Sequence, residues 1–349
     1  MALNLSENRI LITGAAGSLA KQLIYDLSRR GIKPVVHLRE TSDSHYADKF
    51  NLEKRVMDLR QDTDPTPLVE GIDLVIHTAA WVNFRQDRLT QFTAINTFAA
   101  INLYKAAMRA GVKRFVHVST VGAVGAVRRK DFGKDRERRD FTLVNEQQEY
   151  NLDGLRIPYL MTKRAAETEL LKLAEDSPTE LVIVCPSIIV APSRTGDDYG
   201  KARKMFSRWL IPDLSNRLNL VDIRDVSTGL LAACEKGRHR ERYLLAGDNI
   251  VIRALLLDVS SLIGKTPHLV RPPRPMLNCL SRWAVIWSKL FGKGKISFYP
   301  DIVRMLDYDW AYSSMKARTE LGYTNRSIHL TLRDLLNNEM FGTWIKPAR

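Results

Sequence analysis

The stretch Arg9–Ala20, RILITGAAGSLA, decides how this chain is read. Ile10, Leu11 and Ile12 form a short apolar run that stops at Thr13-Gly14, after which Leu19, Leu23, Ile24 and Leu27 recur at helical spacing. An apolar run of that length ending in a glycine turn predicts a buried strand that feeds the amino terminus of a helix. Gly14 and Gly17 let the turn close tightly and bring the backbone near a pyrophosphate, whose charge meets the free N–H groups of the first helical turn. Ala20 occupies the place of a third glycine and is still small enough for close strand–helix packing. Alone, the pattern describes an ordinary strand-turn-helix equally well, so its weight depends on the remainder of the chain.

Strand and helix signals alternate through that remainder. Gly31 closes the first helix, and Val35–Leu38 reads as a second strand ending at Arg39. Val56–Leu59 reads as the end of a third strand, and Asp73–His77 as a fourth that breaks into Thr78-Ala79-Ala80. A helix over 93–110 leads to a fifth strand, Lys113–Ser119, and Leu181–Cys185 forms a further buried strand. Strands alternating with helices from the start predict an α/β fold, a doubly wound parallel sheet with helices on both faces. In dinucleotide folds the residue ending the second strand selects the cofactor: an acid binds the 2′-hydroxyl of NAD, whereas an arginine pairs with the 2′-phosphate of NADP. Arg39 therefore points to NADP ahead of NAD, the plain alternative being a solvated arginine at a strand end. Asp58 is placed to accept a hydrogen bond from the adenine amino group.

At 349 residues the chain suffices for one large domain or a domain with a smaller lobe. Its 45% hydrophobic and 26% charged residues are those of a soluble globular protein. The formal net charge of +14 favours anionic partners: phosphorylated cofactors, acidic lipid headgroups or nucleic acid. No helix-turn-helix, zinc-finger or aromatic RNA-binding signature accompanies the basic residues, so no nucleic-acid partner is expected. Cys185, Cys234 and Cys279 are too few and too scattered for a disulfide framework or a metal cluster, and no metal is expected. The opening MALNLSENR has no apolar core of signal length, and no run of about 18 apolar residues exists for a spanning helix. The expected location is cytoplasmic or on a membrane face. Within 276–295, Leu277, Leu280, Ala284, Trp287 and Phe291 share helical spacing among Arg271, Arg274, Arg282, Lys289, Lys293 and Lys295. Such a segment suits packing on a substrate lobe, the favoured reading, or peripheral contact with an anionic membrane.

The chemistry centres on Tyr159-Leu160-Met161-Thr162-Lys163. Positions i and i+4 of a helix share a face, so phenol and ammonium can point into one cleft. There the ammonium is expected to lower the tyrosine pKa from about 10, making Tyr159 an acid or base near neutral pH. Lys163 is also placed to hold the nicotinamide ribose, and Ser119-Thr120 supplies a hydroxyl for the substrate oxygen. The run 122–158 has no clear apolar period and reads as an excursion over the active-site edge. Asp225 precedes a helix from Val226 and suits an amino-terminal cap as well as a substrate contact.

Taken in order, TGAAGSLA, Asp58-Leu59, HTAA, Asn96, VSTVGAVG, YLMTK with Ala166-Glu167, CPSIIVAP and VDIRDV resemble the extended short-chain dehydrogenase/reductase family over nearly the whole chain. The nearest flavour is its dihydroflavonol 4-reductase-like and 3β-hydroxysteroid dehydrogenase-like branch. The resemblance implies a Rossmann domain over 1–185, rejoined by 221–250, and a smaller substrate lobe from 186–220 and 251–349. It implies Tyr159 as catalytic acid/base, Lys163 as its partner and Thr120 as the catalytic hydroxyl, with Ser119 the neighbouring alternative. Cofactor contacts are implied for Thr13, Gly14, Ala16, Gly17, Ser18 and Leu19 of the turn, and for Arg39, Asp58 and Leu59. Thr78, Ala79, Ala80, Lys163, Pro186 and Ile188 complete that set. Val121-Gly122 stands where sugar-nucleotide dehydratases carry Asp-Glu, which argues against a dehydratase. The expectation is an NADP-dependent oxidoreductase interconverting a ketone and a secondary alcohol on a fairly apolar small molecule, with a homodimer compatible. The alternatives are an NAD-dependent sugar-nucleotide epimerase and a non-catalytic cofactor-binding scaffold.

Overall fold

The computed structural model describes residues 3–60, 63–82, 88–132, 142–191, 210–212, 215–262, 264, 268–291 and 300–337. The strands are β1 (Ile10–Thr13), β2 (Val35–Leu38), β3 (Lys54–Val56), β4 (Leu74–His77), β5 (Arg114–Val118), β6 (Val127–Arg128) and β7 (Glu180–Pro186). After them come β8 (Ile188–Val190), β9 (Leu210–Pro212), β10 (Arg217–Asp222), β11 (Glu241–Leu245), β12 (Asp248–Val251), β13 (His268–Val270) and β14 (Tyr308–Asp309). Among the described residues, seven strands form one sheet in the order β11-β7-β5-β4-β1-β2-β3. Every pairing in it is parallel.

All four residues of β1 are buried, as are those of β2 and β4. Strands covered on both faces have no solvent side to mark with polar residues, and the apolar runs seen in the sequence follow from that. Alternate side chains feed two cores. Leu11, Val75, Phe115, Leu181 and Ile183 pack with Leu103 and Tyr104 of the helix Ala99–Arg109 and with Leu170 of the helix Pro158–Leu173. On the other face Ile10, Ile12, Val116 and Val184 meet Leu23 and Leu27 of the helix Ser18–Arg29, and Leu230 of the helix Ile223–Lys236. The chain runs outward from β1 to β3, then crosses back to β4 on the other side of β1. The crevice at the carboxyl ends of β1 and β4 is therefore the topological switch point, where such sheets take ligands. A small sheet β12-β10-β8 and the pairs β13-β9 and β14-β6 stand apart from the main one.

Several elements differ from the sequence expectation. The helix expected over 93–110 is Leu89–Phe92, a π-helical run Thr93–Phe98 and then Ala99–Arg109. The wider turn points two consecutive polar side chains at one neighbour: Asn96 donates to Thr162 Oγ1 at 3.2 Å, and Thr97 to the Thr162 carbonyl at 2.9 Å. The helix expected from Val226 begins at Ile223, and its cap is Asp222, which accepts the Arg224 N–H at 2.7 Å. Asp225 instead binds the backbone N–H of Arg326 at 2.7 Å and its Nε at 2.8 Å. The helix Arg274–Phe291 packs on the helix Pro300–Arg304, with Leu277, Ala284 and Val285 half-buried, and leaves another arc open. Ser281 is buried, whereas Met276 is 45%, Leu280 52%, Trp283 60% and Ile286 47% exposed. Among the described residues no helix is long and apolar enough to cross a membrane.

At the switch point Gly14 holds a left-handed φ of +71°, and a Cβ there would lie 2.7 Å from Ala79 Cα. Gly31 has a φ of +76°, and a Cβ there would meet nothing within 4 Å. Gly31→Ala should thus cost only the left-handed strain, about 1 kcal/mol, and Gly14→Ala that strain plus a backbone displacement, at least about 2–3 kcal/mol. Urea unfolding of the two variants measures the difference; equal losses would refute the close contact.

Candidate active site

The ends of β1, β2 and β4 are tied together by side chains. Thr13 Oγ1 lies 2.8 Å from His77 Nδ1, and the Thr78 hydroxyl donates to the Thr13 carbonyl at 2.6 Å. His37 Nε2 lies 2.9 Å from the Met57 carbonyl, while its Nδ1 takes the Gly14 N–H at 3.4 Å. Burial lowers the His37 pKa, so the ring stays neutral and keeps the lone pair that Gly14 needs. Gly17 N–H closes the turn on the Gly14 carbonyl at 2.9 Å. The helix Ser18–Arg29 then begins with no side-chain cap, which leaves its first N–H groups facing the crevice mouth.

Above this turn lies a cleft of about 760 Å³. Gly14, Ala16, Gly17, Arg39, Asp58, Leu59, Thr78, Ala79 and Ala80, all named from the sequence, line it. Thr13 is buried beneath it, and Ser18, Leu19, Lys163, Pro186 and Ile188 are not among its lining residues. Further walls come from residues the sequence reading missed: His37, Ser42, Arg60, Trp81, and Arg88 with Gln91. Arg60 changes the role of Asp58. Its Nε and backbone N–H both approach the Asp58 carboxylate at 2.9 Å, and this pairing brings the Asp58 pKa down to about 2. Arg60 thus fixes the carboxylate expected to receive an adenine amino group without using all its acceptor sites, and Arg39 adds a further cation to this end of the cleft. A signal existed in Asp58-Leu59-Arg60, where a two-residue step permits this local bridge.

The hydroxyls at the end of β5 separate cleanly. Ser119 is buried and its hydroxyl is bonded to Glu167, which also accepts Arg242 Nε at 2.8 Å and the Cys185 thiol at 3.6 Å. Thr120 accepts the Gly122 N–H at 3.3 Å, and its hydroxyl acts to lower the pKa of the Tyr159 phenol. Tyr159 and Lys163 stand one turn apart on the helix Pro158–Leu173, opened by its proline. Lys163 Nζ donates to the Val118 carbonyl at 2.6 Å and lies 3.3 Å from His117 Nε2.

One electrostatic expectation is overturned. Burial pushes the Tyr159 pKa up to about 12, against the Thr120 hydrogen bond that lowers it. Burial likewise brings the Lys163 ammonium down to about 8, with the Glu167 charge opposing. Shared helical face does not guarantee that the ammonium acts on the phenol: Lys163 turns into β5, and desolvation governs each group.

The family model of the NAD dependent epimerase/dehydratase family matches residues 10–246, from the first strand of the main sheet to just beyond β11. The chain is similar to sterol demethylase protein B of Methylococcus capsulatus, at 28% identity over 333 residues, covering 93% of this chain and 96% of that protein. It is similar to UDP-glucose 4-epimerase of Vibrio cholerae at 24% identity over 300 residues, covering 82% of this chain and 83% of that protein. The crystal structure of gox2253 superposes with a TM-score of 0.76 at 26% identity, covering 95% of this chain and 97% of the other. A parallel sheet with its glycine turn at the switch point, and a matched span that includes every strand of that sheet, lead to one conclusion. The chain belongs to the NAD dependent epimerase/dehydratase family, the extended short-chain dehydrogenase/reductases, and is an NAD(P)-dependent oxidoreductase of that type.

Proposed function

We propose that the chain is an NADP-dependent reductase that interconverts a ketone and a secondary alcohol on a fairly apolar small molecule. The observation that carries this reading is the placement of Tyr159 and Lys163 one turn apart on a helix whose lysine is tied to the end of β5, where Thr120 follows while Ser119 is withdrawn to Glu167. The nicotinamide supplies hydride when bound. Tyr159, protonated at neutral pH, donates its proton to the carbonyl oxygen as that hydride reaches the carbon. Thr120 orients the same oxygen, and Lys163 offers a positive charge to the phenolate left behind. A phenol held in its acid form fits reduction better than oxidation. Arg39 supports NADP, because a second cation beside the Asp58–Arg60 pair suits a 2′-phosphate. The turn Thr13–Leu19 holds the pyrophosphate. The sterol demethylase relative supports an apolar, sterol-like substrate. The Vibrio cholerae relative favours a second reading, a nucleotide-sugar epimerase, which copurified NAD would support.

The exposed arc of Arg274–Phe291, with Arg271 and Arg282 exposed beside it, supports peripheral contact with an anionic membrane, where apolar substrates partition. The protein should sediment with anionic vesicles at low salt and Trp283→Glu should weaken this; equal sedimentation with neutral vesicles would remove the idea.

Tyr159→Phe should lower turnover by at least about a hundredfold while NADPH binding stays nearly unchanged. Thr120→Val should also impair turnover. Ser119→Ala should spare kcat and lower the unfolding midpoint, because it leaves Glu167 short of a partner. NADPH oxidation, fluorescence titration and urea unfolding read these three effects, and an active Tyr159→Phe enzyme would sink the mechanism. Arg39→Ala should weaken NADPH about tenfold or more and leave NADH affinity unchanged. Parallel binding titrations with the two nucleotides decide it.

A further inference from the structure

Lys163 is only 1% exposed, and the groups that face it leave it few acceptors. On its own helix Glu167 lies one turn on, but that carboxylate is taken by Arg242 and Ser119. Tyr159 lies one turn back, a phenol that burial keeps neutral. From β7 comes Cys185, a thiol that burial keeps neutral. From β4 comes His77, whose ring stacks on His117 at 5.5 Å and which burial brings down to about 3. From β5 come the two atoms that receive Lys163 N–H groups, the Val118 carbonyl at 2.6 Å and His117 Nε2 at 3.3 Å.

We propose that His117 is a positioning residue for the oxidoreduction described above: its Nε2 lone pair takes one N–H of Lys163, fixes the amine at the end of β5 and favours its charged form. The inference rests on that reading for its functional meaning, although the contact itself does not. An ammonium has no lone pair, so Nε2 must accept and the ring proton must sit on Nδ1. That Nδ1 is buried and, among the described residues, has no hydrogen-bond partner. Such an unmatched polar atom inside a parallel strand, flanked by Val116 and Val118, is costly where a valine would fill the space. The cost is offset if the other nitrogen serves the ammonium. Protonation cannot replace this role, since an imidazolium would face the ammonium across 3.3 Å, and burial and Lys163 together hold His117 neutral. The ring is kept in place by its stack on His77, which is itself anchored to Thr13 at 2.8 Å.

The test is the titration of Lys163 in full-length protein labelled with [ε-13C]lysine, its signal assigned by its loss in Lys163→Arg. The wild-type amine should titrate near 8. His117→Gln, whose amide oxygen reaches the position of Nε2, should titrate within about 0.3 of it, whereas His117→Phe should fall by about one unit or more. Should the Phe variant not fold, His117→Asn, too short to reach Nζ, takes its place with the same expectation. An unchanged Lys163 titration in the variant lacking the acceptor overturns the inference. The alkaline limb of the pH–rate profile should move downward with it. If Tyr159→Phe keeps turnover while Lys163 still shifts, the reaction assignment fails and the His117 contact stands. If Tyr159→Phe is dead and Lys163 does not shift, only the role of His117 fails.

Discussion

The close approach of the β1 turn to the end of β4 is the constraint on which this molecule depends. Gly14 and Ala79 meet backbone to backbone, so that no side chain stands between the two strand ends where the sheet reverses its order. That contact creates the crevice, and the parallel sheet supplies its rigidity. Residues at the carboxyl ends of β1, β2, β4 and β5 then converge without any loop having to reach far. Thr13, His37, His77 and the Ser119-Thr120 pair are neighbours because of strand order, although more than a hundred residues separate the first from the last.

Charge is distributed around the crevice in two different ways. Beside Arg39, Asp58 and Arg60 neutralise one another at the surface, where such a pair contributes little stability but fixes side-chain direction. At the catalytic end a complete carboxylate, Glu167, is buried and shared between Arg242, Ser119 and Cys185. Buried charges of this kind are tolerated only when fully partnered. The consequence for chemistry is selection between two adjacent hydroxyls: Ser119 is committed to satisfying Glu167, and Thr120 alone is turned to Tyr159.

The parallel sheet and the glycine turn were legible because burial on both faces writes continuous apolar runs, and because a positive φ demands glycine at Gly14; the order of the strands was not, since it is set by pairings between distant segments. Contacts between distant segments decide the features that were not legible. The π-helical run at Thr93–Phe98 exists because Asn96 and Thr97 both reach Thr162, a partner more than sixty residues away. Asp222 and Asp225 are equally good caps by type, and only the position of Arg326 separates their tasks. The stripe in Arg274–Phe291 shows helical spacing, but spacing does not tell which arc is covered. In YLMTK the interval places two side chains on one face and says nothing about where the Lys163 amine turns.

The direction of that amine, and its burial, govern the electrostatics of the site. In water a tyrosine and a lysine have nearly equal pKa values, close to 10, so neither has a strong preference over the other for charge. Burial removes this balance by favouring the neutral form of each, raising Tyr159 to about 12 and lowering Lys163 to about 8. The phenol is thereby kept as a proton donor across the neutral range, while the amine sits close enough to neutrality for small changes in its surroundings to decide its charge. Those surroundings belong to the strand and not to the phenol: Lys163 Nζ is held by the Val118 carbonyl at 2.6 Å and lies 3.3 Å from His117 Nε2, so desolvation acts on the two groups separately and β5 decides what the amine meets.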